Sequence, residues 1–288
     1  MAALDIQKTY KIFIGGKFPR TESGRFYPIR NGKDELIANM CLASRKDFKN
    51  AVVAARKAQV GWANKTAYNR SQILYRLAEM LQSREASFAS ELEALGLSKK
   101  KSSAEVEKAI DTLVYYAGWC DKYSAIFSSV NPTATAHFNF SVHEPMELIA
   151  AVAPESSPLF GLVSTIAPII AGGNSIVLLA SEKLPTSAMS FAEVIQNSDV
   201  PAGVVNILTG SMDELLPHMS SHMDVNGLLV ARPGVDDSIH ETLVQNVKRL
   251  KDWSETWEDQ GPYKILDFQE LKTTWHPVQS SAASGGGY

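Results

Sequence analysis

The chain has 288 residues, with 28 basic and 31 acidic side chains, a formal net charge of −3 at pH 7 and 45% hydrophobic residues. This is an ordinary globular composition, and it leaves no basic excess for a nucleic-acid backbone, so general nucleic-acid binding is excluded. Two cysteines are too few for a disulfide framework or a zinc cluster, which favours a reducing, cytoplasmic setting.

Neither a secretory signal nor a membrane span is expected. The opening residues, MAALDIQKTYKIFIGG, lack a basic stretch followed by an apolar one. The longest apolar region, Leu148–Leu179, is interrupted by prolines, glycines and an acidic residue. A simple membrane span needs about 20 consecutive apolar residues.

The first third of the chain predicts short strands and then three helices. Glycine turns at Gly15-Gly16 and Ser23-Gly24 indicate strands between residues 10 and 30. Apolar residues at helical spacing then predict helices over 44–62, 69–95 and 102–123. The first is expected to begin with a capping box, because Asp47 follows Ser44 by three residues.

The middle of the chain predicts a parallel sheet. HFNFSVH (His137–His143) alternates apolar and polar residues, as in a strand with one buried face. Strand-like and helix-like segments then alternate, which is typical of a parallel sheet with right-handed crossovers. The predicted strands are LIAAVAP, SIVLLA, VVNILTG and GLLVA, and the predicted helices cover 159–171, 186–197 and 213–220.

The last part predicts one amphipathic helix, two strands and a tail. Ile239, Leu243, Val247 and Leu250 share a helical face. KILDF and LKTTWHPV are interpreted as terminal strands, and SSAASGGGY as a flexible tail.

Several of these segments resemble the aldehyde dehydrogenase family. The resemblance rests on YYAGWCDKY followed by HEP, on IAPIIAGGNSIVLLASEKLP, and on PAGVVNILTG, and it extends over about residues 10–230. ELKTTWHPV (Glu270–Val278) resembles the family's C-terminal strand, which completes a sheet that spans subunits. The resemblance implies an α/β fold, a parallel Rossmann-like sheet with helices on both faces and a small antiparallel oligomerisation arm.

Departures from the family pattern affect the positions that serve cofactor and substrate. Ser156 stands where the family has an oxyanion-binding asparagine, and Leu179 stands where it has a ribose-binding lysine. The family's glycine-containing turn toward the pyrophosphate is replaced by Val230-Ala231-Arg232-Pro233, in which proline lacks a donor and arginine is bulky. The family's general-base glutamate motif and nucleophilic cysteine motif do not follow. The resemblance therefore implies a form without the catalytic domain, similar to the second unit of two-domain aldehyde dehydrogenases.

Few side chains remain as candidates for chemistry. Cys120 precedes Asp121, whose charge disfavours a thiolate, so a structural role is favoured, as for Cys41. Glu182 is the single cofactor-binding candidate, for a ribose hydroxyl, although an acid at a helix N-terminus is the favoured interpretation. His218 and His222 have the spacing of two metal ligands on a helix, but HMSSH lacks the glutamate of HExxH. No catalytic residue and no metal site are assigned.

The functional hypothesis is a non-catalytic subunit that forms homodimers or hetero-oligomers with a full-length aldehyde dehydrogenase. The alternatives are a residual NAD- or NADP-binding module and a divergent aldehyde oxidoreductase that uses Cys120. The expected units are an N-terminal region (1–124), oligomerisation strands (125–145), a Rossmann-like core (146–232), a helix and linker (233–262), and a C-terminal strand with its tail (263–288). A purely intrachain sheet is the alternative to pairing across a subunit boundary.

Overall fold

A computed structural model describes residues 8–278. Eleven strands and ten helices are found in that range. In chain order they are β1 (Thr9–Tyr10), β2 (Phe26–Arg30), β3 (Leu36–Cys41), α1 (Arg45–Ala63), α2 (Ala67–Gln82), α3 (Glu85–Ala94), α4 (Lys99–Trp119), α5 (Tyr123–Phe127), β4 (Ser129–Asn131), β5 (His137–Pro145), β6 (Leu148–Val152), α6 (Phe160–Ala171), β7 (Ser175–Leu179), α7 (Thr186–Asn197), β8 (Val205–Leu208), α8 (Met212–Ser221), β9 (Gly227–Val230), α9 (Asp237–Val244), β10 (Arg249–Asp252), α10 (Tyr263–Leu266) and β11 (Gln269–Pro277).

The centre of the fold is a parallel five-stranded sheet of order β10-β9-β6-β7-β8. Every residue of β6, β7, β8 and β9 is buried. Such continuously apolar strands are expected in a sheet that is covered on both faces. This confirms the α/β fold with a parallel sheet.

Alternate strand residues enter two separate cores, one on each face of this sheet. Leu148, Ala150 and Val152 pack in the core formed with α1, α8 and α9. Ile149 and Ala151 pack in the larger core, to which α2, α3, α4, α6 and α7 contribute. The period of two in a strand thus yields a three-layer arrangement.

The start of α1 agrees with the predicted capping box. Ser44 Oγ accepts a hydrogen bond from the Asp47 backbone N–H, and the Asp47 side chain accepts one from the Ser44 N–H. Asp47 also accepts hydrogen bonds from the Thr21 hydroxyl, at 2.5 Å, and from the Glu22 N–H. The cap therefore also ties the N-terminal segment to α1.

Two predicted helices differ from the structure at their ends. The helix predicted over 69–95 is two helices, because α2 ends at Gln82 and α3 begins after Arg84. The turn between them keeps Phe88 and Leu92 in the larger core. A single straight helix over 69–95 would be about 40 Å long and would carry these two residues away from that core. The third predicted helix was expected to begin at Ser102 but begins at Lys99, and Ser98 is its N-cap. Ser102 lies within this helix and is buried.

The C-terminal prediction is wrong in two places. The amphipathic helix ends at Val244, and Val247 adopts a positive φ of 54°. Arg249–Asp252 then form β10, a fifth parallel strand beside β9, where four were predicted. KILDF was predicted to be a strand, but most of it lies in the short helix α10, which follows Pro262. In this conformation Ile265 and Phe268 both pack in the larger core.

A second sheet, of order β11-β5-β4, is antiparallel and lies apart from the parallel one. β5 pairs with β11 over nine residues, from Gln269 opposite Pro145 to Pro277 opposite His137. The two strands expected to pair across a subunit boundary thus pair with each other within the chain, which was the alternative interpretation. We call this sheet the arm. The predicted tail, residues 280–288, lies outside the described residues.

The burial of β5 is the reverse of the prediction. Asn139 and Ser141 are buried, whereas Phe138 is 46% exposed. The Asn131 side chain donates hydrogen bonds to both buried polar residues, and Ser141 pairs with the Thr273 hydroxyl. The alternation was read correctly as a strand, but the polar face points inward.

Candidate functional site

The strand order places a crevice at the carboxyl ends of β6 and β9. The chain moves from β6 to β7 and β8 on one side, and then returns to β9 and β10 on the other. Open parallel sheets bind ligands at the point where the order reverses. Three loops surround this point: residues 153–159 after β6, 180–185 after β7 and 231–236 after β9.

Arg232 fills the crevice. Its Nε donates a hydrogen bond to the carbonyl of Ala153 at 2.9 Å, and Nη2 donates to that of Ala180 at 3.0 Å. Nη1 lies 2.5 Å from Oε2 of Glu155 and 3.5 Å from Oε1 of Glu182. Arg232 retains only 8% of its accessible surface, so the loops it joins bury it almost completely.

Burial and neighbouring charge act on Arg232 in opposite directions. Loss of hydration lowers the pKa of its guanidinium, and the carboxylates of Glu155 and Glu182 oppose that change. An arginine stays protonated in either case. The two carboxylates compensate the buried cation, and one negative charge remains in excess.

Glu155 ties the loop after β6 to the loop after β7. Its carboxylate accepts hydrogen bonds from the backbone N–H groups of Glu182 and Lys183, at 3.2 and 2.7 Å, and from the Ser181 hydroxyl. With Arg232 on the same carboxylate, few of its acceptor positions remain open.

Glu182, the predicted ribose-binding residue, is engaged by the chain itself. Its Oε1 accepts a hydrogen bond of 2.5 Å from the backbone N–H of Met212, the first residue of α8, and also faces Arg232. The carboxylate thus lies at a helix N-terminus, where the helix dipole stabilises it.

Tyr27 is a member of this cluster that the sequence did not indicate. Its hydroxyl is buried and has no hydrogen-bond partner among the described residues. Burial raises the pKa of Tyr27, and the nearby carboxylates of Glu182 and Glu155 raise it further. Tyr27 lies on β2, more than 120 residues before the rest of the cluster, so no local motif could have identified it.

Other helix N-termini near the crevice are capped by acidic side chains. Glu105 of α4 reaches the start of α6, where its Oε1 accepts hydrogen bonds from the Ser157 hydroxyl and from the N–H groups of Leu159 and Phe160. Asp236 caps α9 by accepting from the Ile239 N–H. Helix N-termini bind phosphates through free N–H groups, and here carboxylates occupy such groups.

Leu179 and Ser156, which replace the family's lysine and asparagine, lie in different surroundings. Leu179 is fully buried in the core of α1 and α8, so its side chain does not face the crevice. Ser156 is exposed on the loop after β6. Neither supplies the asparagine or lysine side chain that the family pattern has there.

Neither cysteine is placed as a nucleophile. Cys120 is fully buried, and its thiol contacts the carbonyl of Tyr116. Burial is the main reason that the pKa of Cys120 is raised to about 12; Asp121, the residue that the sequence suggested, adds a smaller increase. Cys41 is buried as well. The reactive form of cysteine is the thiolate, so Cys120 is unreactive at neutral pH.

The structure brings no metal site together. Among residues 8–278, no group of three or more histidine, cysteine, aspartate or glutamate side chains could hold a metal ion. His218 and His222 line a common pocket with Arg45 and Lys49, whose charges repel a metal cation. In the same range, none of the helices is both long and apolar enough to cross a bilayer.

The architecture defines a class, a Rossmann-like domain carrying a small antiparallel arm. The family model described as "Aldehyde dehydrogenase family" matches residues 19–251. The chain belongs to the aldehyde dehydrogenase family.

Individual relatives agree with this assignment. An aldehyde dehydrogenase of Alternaria alternata is 34% identical over 220 residues, which are 75% of this chain and 44% of that protein. Retinal dehydrogenase 2 of Gallus gallus is 34% identical over 230 residues, covering 77% of this chain and 43% of that protein. The NAD+ complex of an aldehyde dehydrogenase from Bacillus cereus superimposes with a TM-score of 0.79 at 26% identity, over 85% of this chain and 50% of that one.

The matches are confined to part of each relative. The chain spans about half or less of the length of the relatives it matches. Their activities and substrates therefore describe proteins about twice as long.

Proposed function

We propose that this chain is a non-catalytic aldehyde dehydrogenase family subunit that acts by assembling with itself or with a full-length aldehyde dehydrogenase. The main support for the proposal is the closed crevice. Arg232 forms ion pairs with Glu155 and Glu182 at the carboxyl edge of the sheet, so these side chains fill the space there. A domain whose ligand crevice is filled by its own side chains can still fold and can still bind other chains through its surface.

The residues at the crevice do not fit NAD or NADP. A dinucleotide needs free N–H groups for its pyrophosphate and a donor or acceptor free for its ribose. Here Glu105 and Asp236 occupy N–H groups at the starts of α6 and α9, and Glu182 is committed to Met212 and Arg232.

Calorimetry tests the cofactor part of the proposal. We expect neither heat nor a thermal shift with NAD or NADP at millimolar concentration. A full-length aldehyde dehydrogenase measured under the same conditions is the positive control. Saturable binding would favour the alternative, a residual dinucleotide-binding module.

The burial of both thiols supports the part of the proposal that the chain is non-catalytic. Cys120 and Cys41 are buried, and a thiol with a pKa of about 12 attacks no aldehyde at neutral pH. We expect the purified chain to show no aldehyde oxidation with either nicotinamide cofactor. A rate that disappears in Cys120→Ser would instead support a divergent oxidoreductase.

The arm is the surface that supports assembly. Phe138 and Val130 are 46% and 68% exposed on one face, and Leu271 and Trp275 are 58% and 59% exposed on β11. The outer edges of β4 and β11 have no paired strand among residues 8–278. Exposed apolar surface and open strand edges together are typical of an interface.

Native mass spectrometry of the protein purified from its host tests assembly directly. We expect a homodimer or a complex with a full-length aldehyde dehydrogenase, and we expect Phe138→Lys to dissociate it. Val60→Lys is the matched control, because Val60 is 65% exposed on α1, away from the arm. A wild-type chain that remains a monomer would contradict the proposal.

A further inference from the structure

A cationic pocket lies between the start of α1 and the end of α8, outside the crevice described above. Arg45, Phe48 and Lys49 line it from α1, and His218 and His222 line it from α8 and its C-cap. Ser221 and Met223 complete a cavity of about 330 Å³. The Phe48 and His222 rings meet edge to face at 5.7 Å, which fixes the imidazole against the wall.

The positive charges of this pocket are uncompensated. Neither Arg45 nor Lys49 forms an ion pair with any residue in the range 8–278, although most arginines in that range do. Lys248 does not line the cavity, but its charge acts on His222. It retains only 9% of its surface, and its Nζ has no hydrogen-bond partner within the described residues. A buried ammonium group without a partner is costly, and an anion would compensate it.

His222 is arranged as a donor. The backbone N–H of Asp224 donates a hydrogen bond of 3.2 Å to Nδ1 of His222, so the neutral ring carries its proton on Nε2. Burial lowers the pKa of both histidines. Arg45, Lys49 and Lys248 lower the pKa of His222 further, and Asp224, the acidic group near this ring, opposes them. Neutral His222 therefore offers an N–H to an acceptor.

We propose that this pocket binds a phosphate group, either as inorganic phosphate or as the phosphate of a small phosphomonoester. Arg45 and Lys49 supply the charge of the lining, His222 supplies a neutral N–H donor, and Lys248 adds positive charge from outside the lining. A transition metal does not fit, because only two imidazoles are present and the neighbouring cations Arg45 and Lys49 repel it. A phosphate group can accept hydrogen bonds from the cationic side chains and from the neutral imidazole N–H at the same time.

The histidine side chains provide a direct test, because the chain contains six histidines and four lie outside the pocket. Inorganic phosphate and glucose 6-phosphate are titrated separately into protein labelled at the histidine rings, and the ring resonances are followed by NMR. We expect saturable shifts of His218 and His222 and none of His137, His143, His240 and His276. The tighter of the two probes identifies the form of phosphate that the site prefers. Equal shifts of all six, or no saturation, would overturn the proposal.

Variants separate binding from general charge. We expect Arg45→Gln/Lys49→Gln to weaken phosphate binding at least about tenfold, since each hydrogen bond between charged groups contributes on that order. Arg20→Gln/Lys57→Gln is the matched control, because Arg20 and Lys57 are exposed cations outside the pocket, and we expect unchanged affinity. An equal loss in the control would reduce the effect to net charge and would contradict the site.

Lys248→Met gives a second and independent result. We expect the variant to bind phosphate more weakly while the protein without phosphate unfolds at a higher urea concentration, because an unpaired buried charge has been replaced by an apolar side chain. Unchanged phosphate affinity in this variant would contradict the proposal.

Discussion

The Arg232 guanidinium joins three loops that local sequence does not connect. It contacts the carbonyls of Ala153 and Ala180 and two carboxylates, each from a different part of the chain. The sequence analysis interpreted Arg232 as a bulky residue at a position where the family pattern has a glycine-containing turn. It did not indicate that Glu155 is the ion-pair partner of Arg232.

Removal of Arg232 tests the cluster. We expect Arg232→Met to lower the free energy of unfolding by about 3 kcal/mol, because it leaves carboxylates without a counter-ion in a closed site. Addition of Glu155→Gln should recover part of this loss. Urea unfolding measures both variants.

Arg30→Met is the control for that comparison. Arg30 pairs with Asp34 at 3.7 Å on the exposed surface, so its loss should change the free energy of unfolding by no more than about 0.5 kcal/mol. Equal effects of the two arginine variants would show that the crevice cluster carries no special stability.

Among the elements, those with strong local signals were predicted well and those that depend on distant partners were not. β6, β7 and α7 lie where the apolar patterns placed them, and α7 has the predicted bounds 186–197. β10 was missed because Leu250 fits a helical face and a strand equally well. Only its pairing with β9 decides between them.

The end of α9 offers a test of this boundary. Val247 is 90% exposed and has a φ of 54°, a conformation that costs a β-branched residue about 1–3 kcal/mol. We expect Val247→Gly to raise the free energy of unfolding by about 1 kcal/mol, as measured by urea unfolding. Val244→Gly, at the exposed last residue of α9, should lower it by about 0.5 kcal/mol. If both glycines destabilise, Val247 is not strained.

The N-terminus of α6 depends on a side chain from another helix. Glu105 accepts three hydrogen bonds there, and α6 has no side-chain cap of its own. We expect Glu105→Ala to lower the free energy of unfolding by about 2 kcal/mol, whereas Glu107→Ala, an exposed acid on the same helix, should be nearly neutral. Thermal and urea unfolding of the two variants give the comparison, and similar small losses would show that the cap is not needed.

At the scale of the whole molecule, buried titratable groups determine the stability at alkaline pH. Burial raises the pKa of Cys120 and Tyr10 to about 12 and also raises that of Tyr27 and Tyr116. These groups lose their protons earlier in the unfolded chain, so the stability they provide below about pH 9 is lost as the pH rises toward 12. Lys248 and Lys264 act in the opposite direction, because burial lowers their pKa from 10.5 to about 8.

We therefore expect the free energy of unfolding to rise between pH 8 and about pH 9, where the two lysines dominate, and then to fall steeply above about pH 10. Urea unfolding at pH intervals measures this profile. Tyr27→Phe and Tyr116→Phe should each make the fall less steep, whereas the same change at the exposed Tyr68 should not. Constant stability up to pH 11 would contradict the burial of these groups.

The sequence by itself determined the family and the parallel sheet. These properties depend on which residues are present and on short-range spacing, which apolar runs, caps and motifs record directly. Only the tertiary structure decided that the crevice is filled by Arg232, Glu155 and Glu182, that Tyr27 joins them, and that β5 turns its polar face inward. The physical reason is that charges and buried polar groups are compensated by neighbours in space, and in this chain those neighbours lie dozens to more than a hundred residues apart.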